Sequence, residues 1–235
     1  MSTPWSRLPA PRRELLASLV PEFAQHYRLG RTSLAVDGPD GAGKTRFADD
    51  LATAFRREGF EVFRASIDDF HHPREFRYRA GRYSAEGYYR DAFDYSLFRR
   101  VLAEPFRMGG STGFQLRGFD LARDVPFEAD WETGPDDAIL LVDGVFLHRP
   151  EVRGLWNFSI WLDADPAVRL ARMVERDGVD PDPEAESNRR YSDAQRRYVR
   201  ENHPNTAADV IIDNTDPDAP VRRYADYCTV EPAAL

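Results

Sequence analysis

The stretch Ser33-Leu34-Ala35-Val36-Asp37-Gly38-Pro39-Asp40-Gly41-Ala42-Gly43-Lys44-Thr45-Arg46 decides the fold. Its first four residues form a short apolar run that reads as a buried strand. Its glycines then follow the pattern G-x-x-x-x-G-K-[ST] over residues 38–45. Glycine lets successive backbone N–H groups turn inward around phosphate oxygens, and a helix beginning at Lys44 adds its positive N-terminal end. The spacing therefore predicts a nucleotide-phosphate site built from Gly38, Asp40, Gly41, Ala42, Gly43, Lys44, Thr45 and Arg46, with the Thr45 hydroxyl on Mg²⁺.

Composition supports that placement. All but one of the 32 basic residues are arginine, and the exception is Lys44. A compact ammonium on a flexible stem suits the β- and γ-phosphates better than a planar guanidinium does. A hydrophobic content of 42% and an aromatic content of 12% fit a globular domain. A net charge of −8 argues against a general nucleic-acid binder. A single cysteine, Cys228, rules out a disulfide or a cysteine zinc site within the chain. No long apolar run suggests a signal core or membrane span, so a cytoplasmic location is expected.

Outward from the loop, the chain alternates short apolar strands with helical stretches. Residues 12–28 carry apolar positions at helical spacing, and residues 1–10, with Pro4 and Pro9, read as a frayed tail. The helix from Lys44 stops near Gly59. Further strands are read at 61–66, 138–142, 158–162 and 209–212, with helices at 165–177 and 187–201. This predicts one α/β domain over 1–235: three layers, α/β/α, around a mostly parallel five-stranded sheet. An insertion at about 70–137, rich in aromatics and arginines, is expected to bind a small-molecule acceptor. Its second half is read as a hairpin or short strands. The helical region 169–200 is expected to be a lid.

In such sheets ligands bind beyond the strands' carboxyl ends, and here those ends carry aspartates. Asp143, closing an apolar strand before Gly144, reads as the acid that holds Mg²⁺ with Thr45. Asp68, just past the second strand, reads as the base for an acceptor hydroxyl and a further metal-side oxygen donor, with Asp69 as its competitor. Arg169, Arg172 and Arg176 share one helical face, from which Arg172 and Arg176 could neutralise charge on a transferred phosphoryl group. The pair His71-His72 is discounted as a metal site, and His148 and His203 are read as structural or exposed.

These residues resemble the uridine kinase and phosphoribulokinase branch of P-loop kinases over roughly 12–220. The carriers are Val36-Asp37-Gly38 through Thr45, Ser66-Ile67-Asp68-Asp69-Phe70, Asp91-Ala92-Phe93-Asp94, Leu141-Val142-Asp143-Gly144-Val145-Phe146, the arginine helix, and Ala208-Asp209-Val210-Ile211-Ile212-Asp213-Asn214. The resemblance implies an ATP- and Mg²⁺-dependent kinase in which Asp68 activates an alcohol, Asp143 lies near Mg²⁺ and Arg172 and Arg176 are lid arginines. It also implies a departure on the acceptor side. Tyr88 or a neighbour fills the place of a ribose-binding aspartate, and Phe119 and Asp124 replace a tyrosine and a histidine around the pyrimidine. With Arg79 and Arg123 these complete the acceptor candidates. Two alternatives stay open: a kinase of a sugar phosphate or other alcohol, to which the Arg74–Arg82 cluster would offer a phosphate site, and a nucleotide-binding regulator. Homo-oligomers are compatible with all three.

Overall fold

The computed structural model describes residues 5–223; Cys228 lies outside them. In chain order the elements are α1 (Ala10–Tyr27), β1 (Thr32–Asp37), α2 (Lys44–Arg57) and β2 (Val62–Ser66). The insertion follows as α3 (Arg74–Arg77), α4 (Ala85–Asp91), α5 (Tyr95–Phe98), α6 (Glu104–Met108) and the strand pair β3 (Phe119–Asp120) and β4 (Val125–Pro126). The chain then returns through β5 (Ile139–Gly144), β6 (Phe158–Asp163), α7 (Pro166–Asp177), α8 (Glu186–Asn202), α9 (Pro204–Ala207), β7 (Val210–Asp213) and β8 (Val221–Arg223).

The main sheet runs β2-β5-β1-β6-β7-β8. Its first five strands are parallel, as expected, and β8 adds an antiparallel sixth. Val221-Arg222-Arg223 has a single apolar residue, so no hydrophobic run marks it. Ion pairs from Arg222 to Glu22 and from Arg223 to Asp213 hold this edge strand. The N-terminal segment also departs from the frayed tail expected of it. Trp5–Arg7 form a 3₁₀ turn, Leu8 is buried, and Arg57 lies over the Trp5 ring. Pro11 falls in the first turn of α1, where its missing N–H costs nothing.

Alternation along the central strands builds two cores. Leu34, Val36, Ile139 and Leu141 face α1 and α2, packing with Leu16, Phe23, Phe47 and Phe55. Ala35, Leu140 and Val142 face the other way, onto Phe98, Phe106 and Phe114 of the insertion and Tyr198 of α8. With both faces apolar, β1 and β5 sit at the sheet centre. The insertion is therefore part of the second core. Parallel register sets Val36 and Ser66 on either side of Asp143. The ends of β1, β2 and β5 thus converge on one spot, which positions the site.

Candidate active site

The loop after β1 is held from below by Asp37, which is fully buried. Its Oδ1 accepts the Gly38 N–H at 2.8 Å, and its Oδ2 accepts the Tyr198 hydroxyl and lies 2.7 Å from His148 Nδ1. Gly38 passes so close to β6 that a Cβ there would lie 2.0 Å from the Leu162 carbonyl oxygen. Gly41 has φ +78°, and a Cβ on it would meet the Arg169 carbonyl oxygen at 2.5 Å. Both positions require glycine.

Thr45, in the first turn of α2, donates to Asp143 Oδ2 at 2.6 Å. Lys44 Nζ rests on the Pro39 carbonyl at 2.9 Å. Ala42 is buried, and its carbonyl accepts Asn214 Nδ2 at 2.7 Å. Arg172 bonds the carbonyls of Gly41, Asn214 and Thr215 at 3.3, 3.0 and 2.9 Å, so α7 is latched to the loop. Arg169 turns back to the Ala164 carbonyl, and Arg176 pairs with Asp177.

Two cavities meet here. One, of about 800 Å³, is lined by Asp40, Gly41, Gly43, Lys44, Thr45, Arg46, Asp68, Asp143, Arg172 and Arg176, among others. The second, of about 530 Å³, shares Asp40, Asp68 and Arg176 and adds Arg74, Arg77, Arg82, Arg190, Tyr78, Tyr88 and Tyr191. Asp68 lines both. Asp69 lines neither and is engaged by Arg117 Nε at 2.9 Å. Asp68 is solvent-accessible in the cleft, with protein atoms of both cavities around it. The surrounding protein thins the solvent about its carboxyl group and pushes its pKa up to about 6; Lys44 opposes the rise, and Asp143, Asp40 and Asp69 add to it. His71, whose Nδ1 lies 2.7 Å from the Asp68 carbonyl, is pushed down to about 4 by burial and is neutral at pH 7.

The expected acceptor residues separate. Tyr88 lines the second cavity, and its hydroxyl donates to Asp40 at 3.1 Å. Asp124 stands behind it, bonded to Arg77 Nη2 at 3.1 Å and accepting the Arg74 N–H at 2.9 Å. Phe119 is buried in the insertion and Arg123 is exposed beside Asp120. Arg79 pairs with Asp91 and lies over the Phe76 ring. The structure brings none of these last three to either cavity. Sequence spacing gives no sign that Arg190 and Tyr191 line the second cavity or that Arg64 pairs with Asp143. An arginine within a strand reads as solvent-facing, and the two on α8 carry no motif.

Thr45, Asp143 and Asp68 line the same cavity with oxygen donors of the kind Mg²⁺ takes, and among the described residues no three of His, Cys, Asp and Glu converge closely enough to hold a metal ion without further ligands. No helix among the described residues is long and apolar enough to cross a membrane.

Comparison with known proteins agrees with this layout. Residues 34–215 match the Phosphoribulokinase / Uridine kinase family. Uridine kinase-like protein 4 of Arabidopsis thaliana is 29% identical over 149 residues, covering 63% of this chain and 30% of that protein. Uridine kinase-like protein 5 of the same plant is 26% identical over the same shares. The chain thus spans less than a third of these relatives' length. Among solved structures, a possible uridine kinase from Bacillus stearothermophilus superposes with a TM-score of 0.66 at 24% identity, covering 85% of this chain and 97% of that one. D-glycerate 3-kinase from Cryptococcus neoformans superposes with a TM-score of 0.54 at 13% identity, covering 79% and 87%. These two likenesses are of fold. The match over most of the chain, on a sheet whose strand ends gather the loop, Asp68 and Asp143, makes this chain a member of the phosphoribulokinase/uridine kinase family.

Proposed function

We propose that the chain transfers the γ-phosphoryl group of ATP to a hydroxyl of a nucleoside-like small molecule. The observation that carries the reading is Asp68, a carboxylate with a raised pKa standing where the two cavities join. The loop amides and Lys44 would bind the phosphates, and Thr45 and Asp143 would hold Mg²⁺, leaving Asp68 free for the acceptor. Mg²⁺, when bound, neutralises charge on the β- and γ-phosphates. Above about pH 6 Asp68 is ionised and can take the acceptor's proton. Arg172 and Arg176, on the proposed lid of α7 and α8, supply positive charge on the phosphate side. A cytoplasmic setting, with small molecules as partners, suits this chemistry.

The acceptor cavity favours a second reading of the same chemistry, in which the acceptor carries an anionic group. Arg74 and Arg82 line it without a carboxylate partner among the described residues. Arg190 is buried with its guanidinium over the rings of Tyr78, Tyr88 and Tyr191. Five arginines against three aspartates line this cavity, an excess of positive charge in a chain with 40 acidic and 32 basic residues. Transfer of labelled γ-phosphate to matched neutral and phosphorylated acceptors, nucleosides and sugars alike, separates the two. Labelled product with neutral nucleosides supports the first reading. Product only with phosphorylated partners, lost on Arg74→Ala with Arg82→Ala, supports the second. ATP hydrolysis that no acceptor alters removes both.

A further inference from the structure

Arg64 lies on β2 beside the carboxylate assigned to the metal. Its Nη2 donates to Asp143 Oδ1 at 2.8 Å and its Nε to Asp49 Oδ1 at 3.0 Å. Its Nη1 donates to the carbonyls of Leu141 at 2.8 Å and Ala65 at 2.9 Å. Four partners from β2, β5 and α2 fix the guanidinium, whose side chain is 17% exposed. Asp143 is 1% exposed, and its other oxygen accepts the Thr45 hydroxyl. Both oxygens of this carboxylate are therefore engaged, one of them by a fixed cation.

The surroundings explain what that cation does. Asp49 stands one helical turn after Thr45 on α2, and Asp49, Asp143 and Asp68 all line the phosphate-side cavity. Asp40, Asp50 and Glu175 line it too; among the described residues no three of His, Cys, Asp and Glu converge closely enough to hold a metal ion by themselves, but neighbouring carboxylates still attract a divalent cation. A guanidinium between two of them offsets that attraction. We propose that Arg64 is a resident counter-ion that makes divalent-cation binding depend on the nucleotide. With Arg64 in place the carboxylates alone hold the metal weakly, and the phosphates' own charge is needed to retain it. This rests on reading the loop as a metal–nucleotide site. It makes Arg64 a positioning residue, acting through Asp143 and Asp49.

The test uses Mn²⁺ as probe, with free Mn²⁺ followed by electron paramagnetic resonance, on the full chain with and without ADP. Wild type is expected to take up Mn²⁺ weakly alone and more tightly with ADP. Arg64→Met keeps the length of the stem and removes the charge. It is expected to tighten nucleotide-free Mn²⁺ binding by about tenfold or more. Arg64→Lys, which keeps the charge without the fork, is expected to stay near wild type. Equal nucleotide-free affinity in wild type and Arg64→Met overturns the proposal, as does a gain in Arg64→Lys as large as in Arg64→Met. Should Arg64→Met fail to show the wild-type circular dichroism, Arg64→Gln carries the same comparison. If wild type binds neither ADP nor Mn²⁺ with ADP, the metal–nucleotide reading itself fails, a result distinct from the others.

Discussion

Replacing Asp68 by Asn removes the proposed base while keeping the size of the side chain. General-base catalysis contributes about 10²–10⁴ in rate, so kcat with an identified acceptor is expected to fall by that factor, about 3–5 kcal/mol of transition-state free energy. ADP affinity, read by titration calorimetry, is expected to change little, because the loop and Lys44 remain. The raised pKa adds a second signature. With the Asp68 carboxyl at about 6, only about a tenth of molecules carry the ionised base at pH 5. The profile of kcat/KM should therefore rise about tenfold per pH unit below 6 and level off above it. Asp40→Asn removes one of the like charges that raise Asp68, so it should move that limb to lower pH. Full turnover in Asp68→Asn, or a wild-type limb centred near pH 4, would refute the reasoning.

Two further outcomes are accessible without an acceptor. Arg12 and Asp50, 0% and 2% exposed, form a buried pair at 2.8 Å, and truncating one partner strands the other. Arg12→Ala is expected to cost about 3–5 kcal/mol and to lower Tm by roughly 6–20 °C; a shift under about 2 °C in thermal denaturation contradicts this. Gly41→Ala places a methyl group against the Arg169 carbonyl at a strained φ of +78°. It is expected to weaken ADP binding by about tenfold or more in calorimetry, and wild-type affinity would contradict the close approach of α7 to the loop.

The phosphate half of the site was legible because it is local. A strand, a glycine loop and a helix follow one another without a break, and glycine spacing reports backbone geometry directly. Thr45 and Asp143 could be paired across 98 positions because each ends or begins an element by a recognisable pattern. The acceptor half is assembled from distant segments. Arg74 and Arg82 come from the insertion and Arg190 and Tyr191 from α8, and nothing in local spacing says that these faces meet. Phe119 was expected at the acceptor because of where it falls in a resemblance, and the structure buries it in the insertion. Arg64 was passed over because its partners are long-range: Asp143 and Leu141 reach it only through the pairing of β2 with β5. The sixth strand escaped notice for lack of an apolar run. Asp37 and His148 were each visible, but their meeting with Tyr198 depends on where α8 crosses the sheet.

That meeting has a mechanical consequence. Tyr198 pins α8 to the end of β1, while Arg190 and Tyr191 of the same helix reach the acceptor cavity about 12 Å away, at 1.5 Å per residue. α8 is also tied to the insertion, through Arg190 to the Arg82 carbonyl, Arg197 to Glu86 and Asn202 to the Tyr89 hydroxyl. One helix thus works as a strut: it joins the insertion to the carboxylate that holds the Gly38 N–H, so the two halves of the site share a single brace.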